Sequence, residues 1–170
     1  IGWARTLEQA GVHVVYGVMG MKTHSKAGLV VRKEGDGICR YLHLATGNYN
    51  PTTATVYEDI GLFTCDEVLA SDITDLFNFL TGYSTMQDYR KLMVAPVNLR
   101  QRREALIRRE MDHAQNGREA YIIIKVNAIV DPQMVQLLYE ASQAGVRIDL
   151  LVRGMCSLVP GVEKLSENIR

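Results

Sequence analysis

The second half of the chain alternates strand, helix and strand signals, and this order limits the possible folds more than any other feature. Tyr121–Val126 is a run of large and β-branched residues of the kind that fills a buried strand. Asp131 and Pro132 then supply an N-cap and a first helical position, and the helix they begin ends at Gly145. A second strand follows over 146–152. Strands joined by a helix pair in parallel, so the sequence predicts an α/β fold here.

The first half predicts a mixed arrangement in which strands predominate. A glycine-rich turn at 34–37 separates two apolar stretches and indicates a hairpin, and Ser71 is the expected N-cap of a later helix. The predicted elements are a helix over 3–10, strands over 12–16, 22–33, 38–44 and 57–64, a helix over 71–80, a polar linker over 81–90, a short strand or an extended entry to Pro96 over 92–94, and a helix over 98–116. Together they predict a mixed sheet flanked by helices.

A short sequence repeat links the two halves. Residues 9–14 read Gln-Ala-Gly-Val-His-Val, and residues 143–148 read Gln-Ala-Gly-Val-Arg-Ile. Both copies are predicted to stand where a helix ends at a glycine and a strand begins. A duplicated α/β unit would produce this repeat, and so would an ordinary helix-to-strand junction used twice. The sequence leaves both explanations open.

Charge and cysteine content restrict the partners and the compartment. The chain has 19 basic and 19 acidic residues, so its net charge of zero predicts no partner, and any anion site must come from local clustering. The three cysteines, Cys39, Cys65 and Cys156, lack metal-ligand spacing, and their odd number favours reduced thiols in the cytosol. No apolar run approaches the roughly 18 residues that span a bilayer. We therefore expect a cytoplasmic protein, with peripheral association at the inner face of the membrane left open.

His24 and Lys26 form the first candidate site. Side chains at positions i and i+2 of a strand lie on the same face, so the predicted strand over 22–33 brings both into one pocket, with Gly28 beside them. The lysine would hold a phosphate, and the imidazole would attack phosphorus or shuttle a proton. The alternative is a partly buried histidine that donates to a backbone carbonyl.

Five further residues could complete such a site. His43, on the returning strand, could reach the same pocket or simply pack. Asn48 and Asn50 stand in a loop whose backbone N–H groups could bind an anion or form an ordinary turn. Tyr57 could stack on a base or fill the core. Arg153 follows a strand at its C-terminal end, where ligands of α/β sheets gather, and a guanidinium there suits bidentate phosphate binding.

Four segments resemble bacterial polyphosphate kinase, in matching order along essentially the whole chain. They are Lys22-Thr23-His24-Ser25-Lys26, Tyr41-Leu42-His43-Leu44-Ala45-Thr46-Gly47-Asn48-Tyr49-Asn50, Leu76-Phe77-Asn78-Phe79-Leu80-Thr81-Gly82-Tyr83 and Leu150-Leu151-Val152-Arg153-Gly154-Met155-Cys156-Ser157-Leu158. The resemblance implies a phospholipase-D-like α/β fold. It also implies that residues 1–91 are most of one such domain and residues 92–170 the front of a second.

The same resemblance implies an activity. That family transfers the γ-phosphate of ATP reversibly to the end of a polyphosphate chain through a phosphohistidine, and His24 matches the phosphorylated position. Tyr57 and Arg153 match positions that contact the nucleotide or its phosphates, and His43 falls in a second histidine motif. Lys26, Asn48 and Asn50 are expected to bind nucleotide or phosphate beside them. The expected partners are ATP or ADP and polyphosphate, with no nucleic acid, in a protein that is a homo-oligomer when intact.

The resemblance also predicts a cofactor and a second histidine that lie outside these 170 residues. Mg²⁺ is the expected cofactor, with ligands before Ile1 and none within this chain, and the partner histidine of the fold is expected beyond Arg170. The 170 residues alone would then be inactive, or a module that binds nucleotide or polyphosphate. The other alternative is a phospholipase-D-like phosphodiesterase or nuclease, but such enzymes have Asp where this chain has Val31, which weakens that interpretation.

Overall fold

The computed structural model describes residues 2–85 and 88–170, and the chain divides into two compact units, Ile1–Val97 and Asn98–Arg170. The elements in chain order are α1 (Gly2–Gln9), β1 (Ala27–Glu34), β2 (Gly37–Ala45), α2 (Pro51–Ala54), β3 (Gly61–Thr64), α3 (Glu67–Leu80), α4 (Leu99–Gln115), β4 (Tyr121–Val126), α5 (Pro132–Gln143) and β5 (Arg147–Val152). Within the predicted linker over 81–90, Met86 and Gln87 lie outside the described residues.

The first unit is built on a three-stranded antiparallel sheet in the order β1-β2-β3. The predicted hairpin between β1 and β2 is confirmed, and Gly35 has the positive φ of 57° that such a turn favours. The strand predicted over 57–64 is shorter and covers only Gly61–Thr64. One face of the sheet packs on α3, where Leu42 of β2 lies in a core with Ile73 of α3. The opposite face bears Gly28 and His43.

Helix α3 begins earlier than predicted, because a different residue caps it. The side chain of Asp66 accepts a hydrogen bond from the Leu69 N–H at 2.9 Å, which satisfies one of the unpaired donors of the first turn. Ser71 therefore lies inside the helix, and its prediction as N-cap is wrong. The aspartate five residues upstream is an equally good cap, and the apolar pattern alone did not distinguish the two.

Two predicted strand segments before β1 are wrong, and one cause explains both. Residues 12–16 and 22–26 form no strand in the part of the chain that the structure describes. A strand needs a hydrogen-bonded partner, and β2, the neighbour of β1, ends at Ala45. A last hydrogen bond runs from the Ala45 N–H to the Lys26 carbonyl oxygen at 3.0 Å. The sheet stops there, so His24 lies outside β1.

Of the two alternatives for residues 92–94, a short strand or an extended entry to Pro96, the strand is not formed. The segment 90–92, which leads into it, is bound to Asp72, a fully buried carboxylate of α3. Asp72 accepts hydrogen bonds from the three backbone N–H groups of residues 90–92, at 3.1, 2.6 and 3.0 Å. Backbone donors taken by a carboxylate are not available for a sheet ladder. Asp72 thus fixes the chain where it is about to leave the first unit.

The second unit confirms the predicted parallel pair. Strands β4 and β5 run parallel, with Tyr121 beside Arg147 and Val126 beside Val152. The Asp131 side chain caps α5 as predicted, accepting from the Met134 N–H at 2.9 Å. Apolar residues of α4, α5 and one face of the two strands form its core, which includes Ile107, Leu138, Ala141, Val146 and Ile148. The fold as a whole is mixed α/β, as predicted.

The sequence repeat corresponds to a repeated helix end. Gly11 and Gly145 have φ values of 83° and 94°, and the N–H of the next residue bonds back to a carbonyl five residues earlier. These bonds run from Val12 to the Leu7 oxygen and from Val146 to the Ala141 oxygen, both at 3.0 Å. This is the 6→1 bond of a Schellman motif. A strand follows only the second copy, so the likeness is confined to the helix ends.

Among the described residues, no helix is both long enough and apolar enough to cross a membrane.

Candidate functional site

The side chains of His24 and Lys26 meet in the segment that leads into β1. The Lys26 Nζ lies 2.9 Å from Nδ1 and 3.2 Å from Nε2 of the imidazole, and 3.3 Å from the His24 carbonyl oxygen. An ammonium group only donates, so a ring nitrogen that receives its hydrogen bond carries a lone pair. His24 is exposed. The structure therefore presents an accessible imidazole beside a positive charge, although no strand holds the two residues.

His43 lies in the middle of the sheet, opposite Gly28 of β1 and Phe63 of β3. Its ring stacks on Phe63, with the centroids 4.3 Å apart, and its Nδ1 lies 2.8 Å from the Tyr49 hydroxyl. A Cβ at Gly61 would come within 2.9 Å of His43 Nε2, so the glycine leaves room for the ring. His43 is thus held on the face that bears Gly28, and both alternatives raised by the sequence stay open.

A carboxylate supports the loop that follows β2. The Thr46 hydroxyl donates to Asp59 Oδ1 at 2.8 Å, and a Cβ at Gly47 would overlap the same carboxyl group. The Asn50 side-chain oxygen accepts from two backbone N–H groups of α2, at 2.9 and 3.3 Å, and so caps that helix. Asn48 is exposed at the tip of the loop. The side-chain oxygen of Asn50 is therefore already hydrogen-bonded to the helix, whereas the side chain of Asn48 is exposed to solvent.

Tyr57 follows α2 and is 48% exposed. Its N–H donates to the Thr53 carbonyl oxygen at 3.2 Å, which fixes the backbone at this position. A side chain with half of its surface open to solvent does not fill a core. Of the two interpretations that the sequence left, the structure favours the one in which the ring is accessible.

An apolar cavity of about 630 Å³ opens near the segment before β1. Thr23, the neighbour of His24, lines it together with side chains of α3 that include Phe77 and Leu80. The wall is mainly aliphatic and aromatic, so the cavity suits an apolar group and not a phosphate.

Arg153 belongs to the second unit and follows β5 directly. Its Nε donates to the Asn127 side-chain oxygen at 2.6 Å, and its backbone N–H donates to the Val126 oxygen at 3.3 Å. Asn127 is the residue after β4, so both side chains stand at the carboxyl edge of the parallel pair. Arg153 is exposed there, at the edge where the sequence placed it.

Sequence reasoning missed two residues that support these candidates. Asp59 supports the Gly-Asn loop, and Asn127 holds Arg153. A signal existed for Asn127, since the rule that ligands gather at strand C-termini applies to β4 as much as to β5. None existed for Asp59, because its partner Thr46 is 13 residues away and nothing local marks the pair.

The described residues contain no group of three or more His, Cys, Asp or Glu side chains that could hold a metal ion.

Comparison with known proteins identifies the family. The family model Polyphosphate kinase C-terminal domain 1 matches residues 1–86, and Polyphosphate kinase C-terminal domain 2 matches residues 92–170. The chain belongs to the polyphosphate kinase family. The resemblance of the four sequence segments is therefore confirmed at the level of the family.

Individual relatives agree. A polyphosphate kinase of Synechocystis sp. is 62% identical over 170 residues, which are 100% of this chain and 23% of that protein. A polyphosphate kinase of Streptomyces coelicolor is 54% identical, with the same 100% and 23% coverage. The crystal structure of polyphosphate kinase from Porphyromonas gingivalis matches with a TM-score of 0.86 at 36% identity, over 98% of this chain and 28% of that chain. The chain thus spans about a quarter of the length of these relatives.

The structural match also confirms the predicted fold class. The neighbour is a polyphosphate kinase, and the mixed α/β architecture with one antiparallel and one parallel sheet is the phospholipase-D-like type that the sequence resemblance implied.

Proposed function

We propose that the intact protein is a phosphotransferase that moves the γ-phosphate of ATP reversibly to the end of a polyphosphate chain, with His24 as the carrier of the phosphoryl group. The observation that carries this proposal is the exposed His24 imidazole with the Lys26 ammonium 2.9 Å from its Nδ1. Membership in the polyphosphate kinase family supplies the substrate class. ATP, ADP and inorganic polyphosphate are the partners of this reaction.

The chemistry uses the lone pair of the neutral imidazole. A ring nitrogen of His24 attacks the γ-phosphorus in line, the N–P bond forms, and the bond from phosphorus to the bridging oxygen breaks, so that ADP leaves with the electron pair. A terminal oxygen of polyphosphate then attacks the same phosphorus, and the N–P bond breaks. Lys26 moves its hydrogen bond from the ring to a phosphoryl oxygen, which frees the lone pair and stabilises the transferring charge.

The other candidate residues assist the reaction by binding the substrates or shaping the site. Tyr57 contacts the nucleotide through its accessible ring, and Arg153 binds phosphate oxygens. Asn48 contributes from the tip of its loop, whereas Asn50 acts through the cap that shapes the loop. His43 is an accessory group, held by its aromatic neighbours on the sheet face.

Mg²⁺ belongs to the proposal only as an ion bound outside these residues. The described residues hold no group of three or more His, Cys, Asp or Glu side chains, and Mg²⁺ in phosphoryl-transfer sites is commonly held by one or two carboxylates together with substrate phosphates. No step is therefore assigned to it. We further propose that residues 1–91 and 92–170 form two phospholipase-D-like domains, that the intact protein is cytoplasmic, and that it assembles as a homo-oligomer.

The test is phosphoryl capture on the intact protein. The protein is incubated with γ-labelled ATP and magnesium, quenched in alkali, which preserves phosphohistidine, and digested for peptide mapping. We expect label on the peptide that contains His24, discharge of that label by added polyphosphate, and loss of both in His24→Ala. His13→Gln is the matched control, because it changes another exposed histidine of the same unit.

The outcome decides between two chemistries. Label that persists in His24→Ala would place the nucleophile elsewhere. No label at all, together with turnover of a phosphodiester that is lost in His24→Ala, would identify the protein as a phosphodiesterase on the same fold.

A further inference from the structure

Lys26 and His43 lie on the same face of the antiparallel sheet. The Ala45 N–H donates to the Lys26 oxygen at 3.0 Å, which carries the pairing of β1 and β2 one residue beyond the start of β1. Positions 26 and 28 of such an extended segment share a face, and Gly28 is the register partner of His43. His43 therefore stands two residue pairs along the sheet from Lys26, the lysine whose ammonium contacts His24.

Three neighbours fix the orientation of the His43 ring. Phe63 of β3 stacks on it, with the ring centroids 4.3 Å apart and the planes inclined by 26°. Tyr49, from the loop after β2, is tilted against the same ring at a centroid distance of 5.5 Å, and its hydroxyl lies 2.8 Å from Nδ1. A Cβ at Gly28 would already touch that hydroxyl, at 3.7 Å, so the glycine gives Tyr49 its place beside His43. The Nδ1 atom is thus engaged.

The other ring nitrogen, Nε2, remains for a substrate. Among the residues that the structure describes, His43 Nε2 has no hydrogen-bond partner. A Cβ at Gly61 would come within 2.9 Å of this atom, so the glycine keeps side-chain atoms away from it. His43 is only half-buried. A histidine with one nitrogen engaged and the other free is the arrangement used to share a proton with a reacting group.

The contact with the Tyr49 hydroxyl also sets the proton position in the neutral ring. A phenolic O–H donates readily, and neutral imidazole has a lone pair on one of its two nitrogens. When the Tyr49 hydroxyl donates to Nδ1, the ring carries its proton on Nε2. An N–H at that position suits a phosphoryl oxygen and stabilises negative charge that develops there.

We propose that Tyr49 is the positioning residue for His43: its hydroxyl fixes the ring through Nδ1, so that the Nε2–H donates to an oxygen of the transferring phosphoryl group. This inference rests on the proposed phosphotransfer at His24 and names the group that orients its accessory histidine. Tyr49 acts through the histidine and does not itself touch the phosphate. No proton is transferred, because Nε2 donates a hydrogen bond and keeps its hydrogen.

The test compares Tyr49→Phe with the wild type in the intact protein. This variant keeps the ring and removes only the hydroxyl. The single-turnover rate at which saturating γ-labelled ATP phosphorylates His24 is measured together with ATP affinity and melting temperature. We expect the rate to fall about three- to tenfold, as one orienting hydrogen bond is lost, while ATP affinity and melting temperature stay unchanged.

Tyr16→Phe is the matched control. It removes the hydroxyl of another exposed tyrosine of the same unit, which donates to Glu8 Oε1 at 3.2 Å. All three quantities should keep their wild-type values in this variant.

Nitrogen NMR of the intact protein labelled in its histidines separates positioning from packing. A ring nitrogen that carries a proton and one that carries a lone pair resonate far apart, and the signals of His43 are those absent from His43→Ala. We expect the neutral ring to carry its proton on Nε2 in the wild type and to exchange between both tautomers in Tyr49→Phe. A merely structural hydroxyl predicts a lower melting temperature with the tautomer and the rate unchanged.

Each failure has its own signature. The inference alone is overturned by a wild-type rate in Tyr49→Phe, by a slower rate with an unchanged His43 tautomer, or by a wild-type rate in His43→Ala. Label on His24 would still support the proposed phosphotransfer in all three cases. Absence of label on His24 in the wild type overturns the proposed function and the inference with it.

Discussion

Asp72→Asn tests how much the buried carboxylate contributes to the first unit. Asp72 is fully buried, and one of its oxygens accepts from the N–H groups of Lys91 and Leu92, while the other accepts from the backbone and side chain of Arg90. Asparagine has the same shape but a single acceptor oxygen, so its NH₂ group must face the donors of one pair. We expect loss of about 2–4 kcal/mol, from two donors left facing the NH₂ group, at least one of them a backbone N–H at about 1–3 kcal/mol, and from two weakened charge-assisted bonds.

The pH dependence gives a second, independent check. Burial by itself raises the pKa of Asp72, but the hydrogen bonds from the backbone N–H groups of 90–92 and from the Arg90 side chain outweigh it, and the net pKa lies below the usual value. A carboxyl group with a lowered folded-state pKa stabilises the fold above its unfolded pKa of about 4, and this contribution is lost as the pH falls further. The difference between wild type and Asp72→Asn should therefore be constant from about pH 5 upward and shrink below about pH 4.

The assay is urea unfolding of the 170-residue chain, followed by circular dichroism at several pH values, with hydrogen exchange at Lys91 and Leu92 as a local probe. Faster exchange of these two amides in Asp72→Asn would place the loss at the predicted bonds. Asp36→Asn makes the same chemical change in the exposed hairpin turn and should leave stability nearly unchanged. An Asp72→Asn variant with wild-type stability and protected amides would refute the reasoning.

Two further substitutions test local geometry by the same unfolding assay. Gly154→Ala should destabilise the second unit by about 1–3 kcal/mol, because its Cβ would lie 2.7 Å from the Asn127 backbone oxygen. Gly2→Ala is the control, since a Cβ there meets open space. Equal stability of the two variants would contradict this expectation. The hydrogen bond from Arg100 lowers the pKa of Asp131 to about 2, and the same carboxylate caps α5. Asp131→Ala should therefore lower the urea midpoint more than Asp131→Asn, which keeps the cap. Equal midpoints would show that the ion pair, which both variants remove, matters more than the cap.

The elements that the sequence predicted correctly are those with local signals. The hairpin turn has a glycine, Gly35, at a position with positive φ. Helix α5 has an aspartate and a proline at its start, and both copies of the repeat end a helix at a glycine. These features depend on residues a few positions apart, so they can be found without knowledge of the fold. The parallel pairing of β4 and β5 followed from the helix between them.

The predictions that failed concern elements that depend on distant partners. Residues 12–16 and 22–26 have the composition of strands, but β2 ends at Ala45 and offers them no ladder. The start of α3 was misplaced because two capping residues competed within a few positions. The expectation that His24 and Lys26 share a face rested on a strand that is absent, yet their side chains meet, because two residues so close in sequence need only a short extended segment to do so.

The sequence by itself determined the family and the mixed α/β class, because both follow from short motifs and local patterns whose order along the chain is visible. Only the tertiary structure decided which residues support the candidate site residues. Hydrogen bonds that no local pattern encodes join Thr46 to Asp59, 13 positions apart, Asn127 to Arg153, 26 positions apart, and Asp72 to Arg90, 18 positions apart. Such pairs exist only once strands and helices have set the distances between them, which is why the sequence could name candidate residues but not the residues that support them.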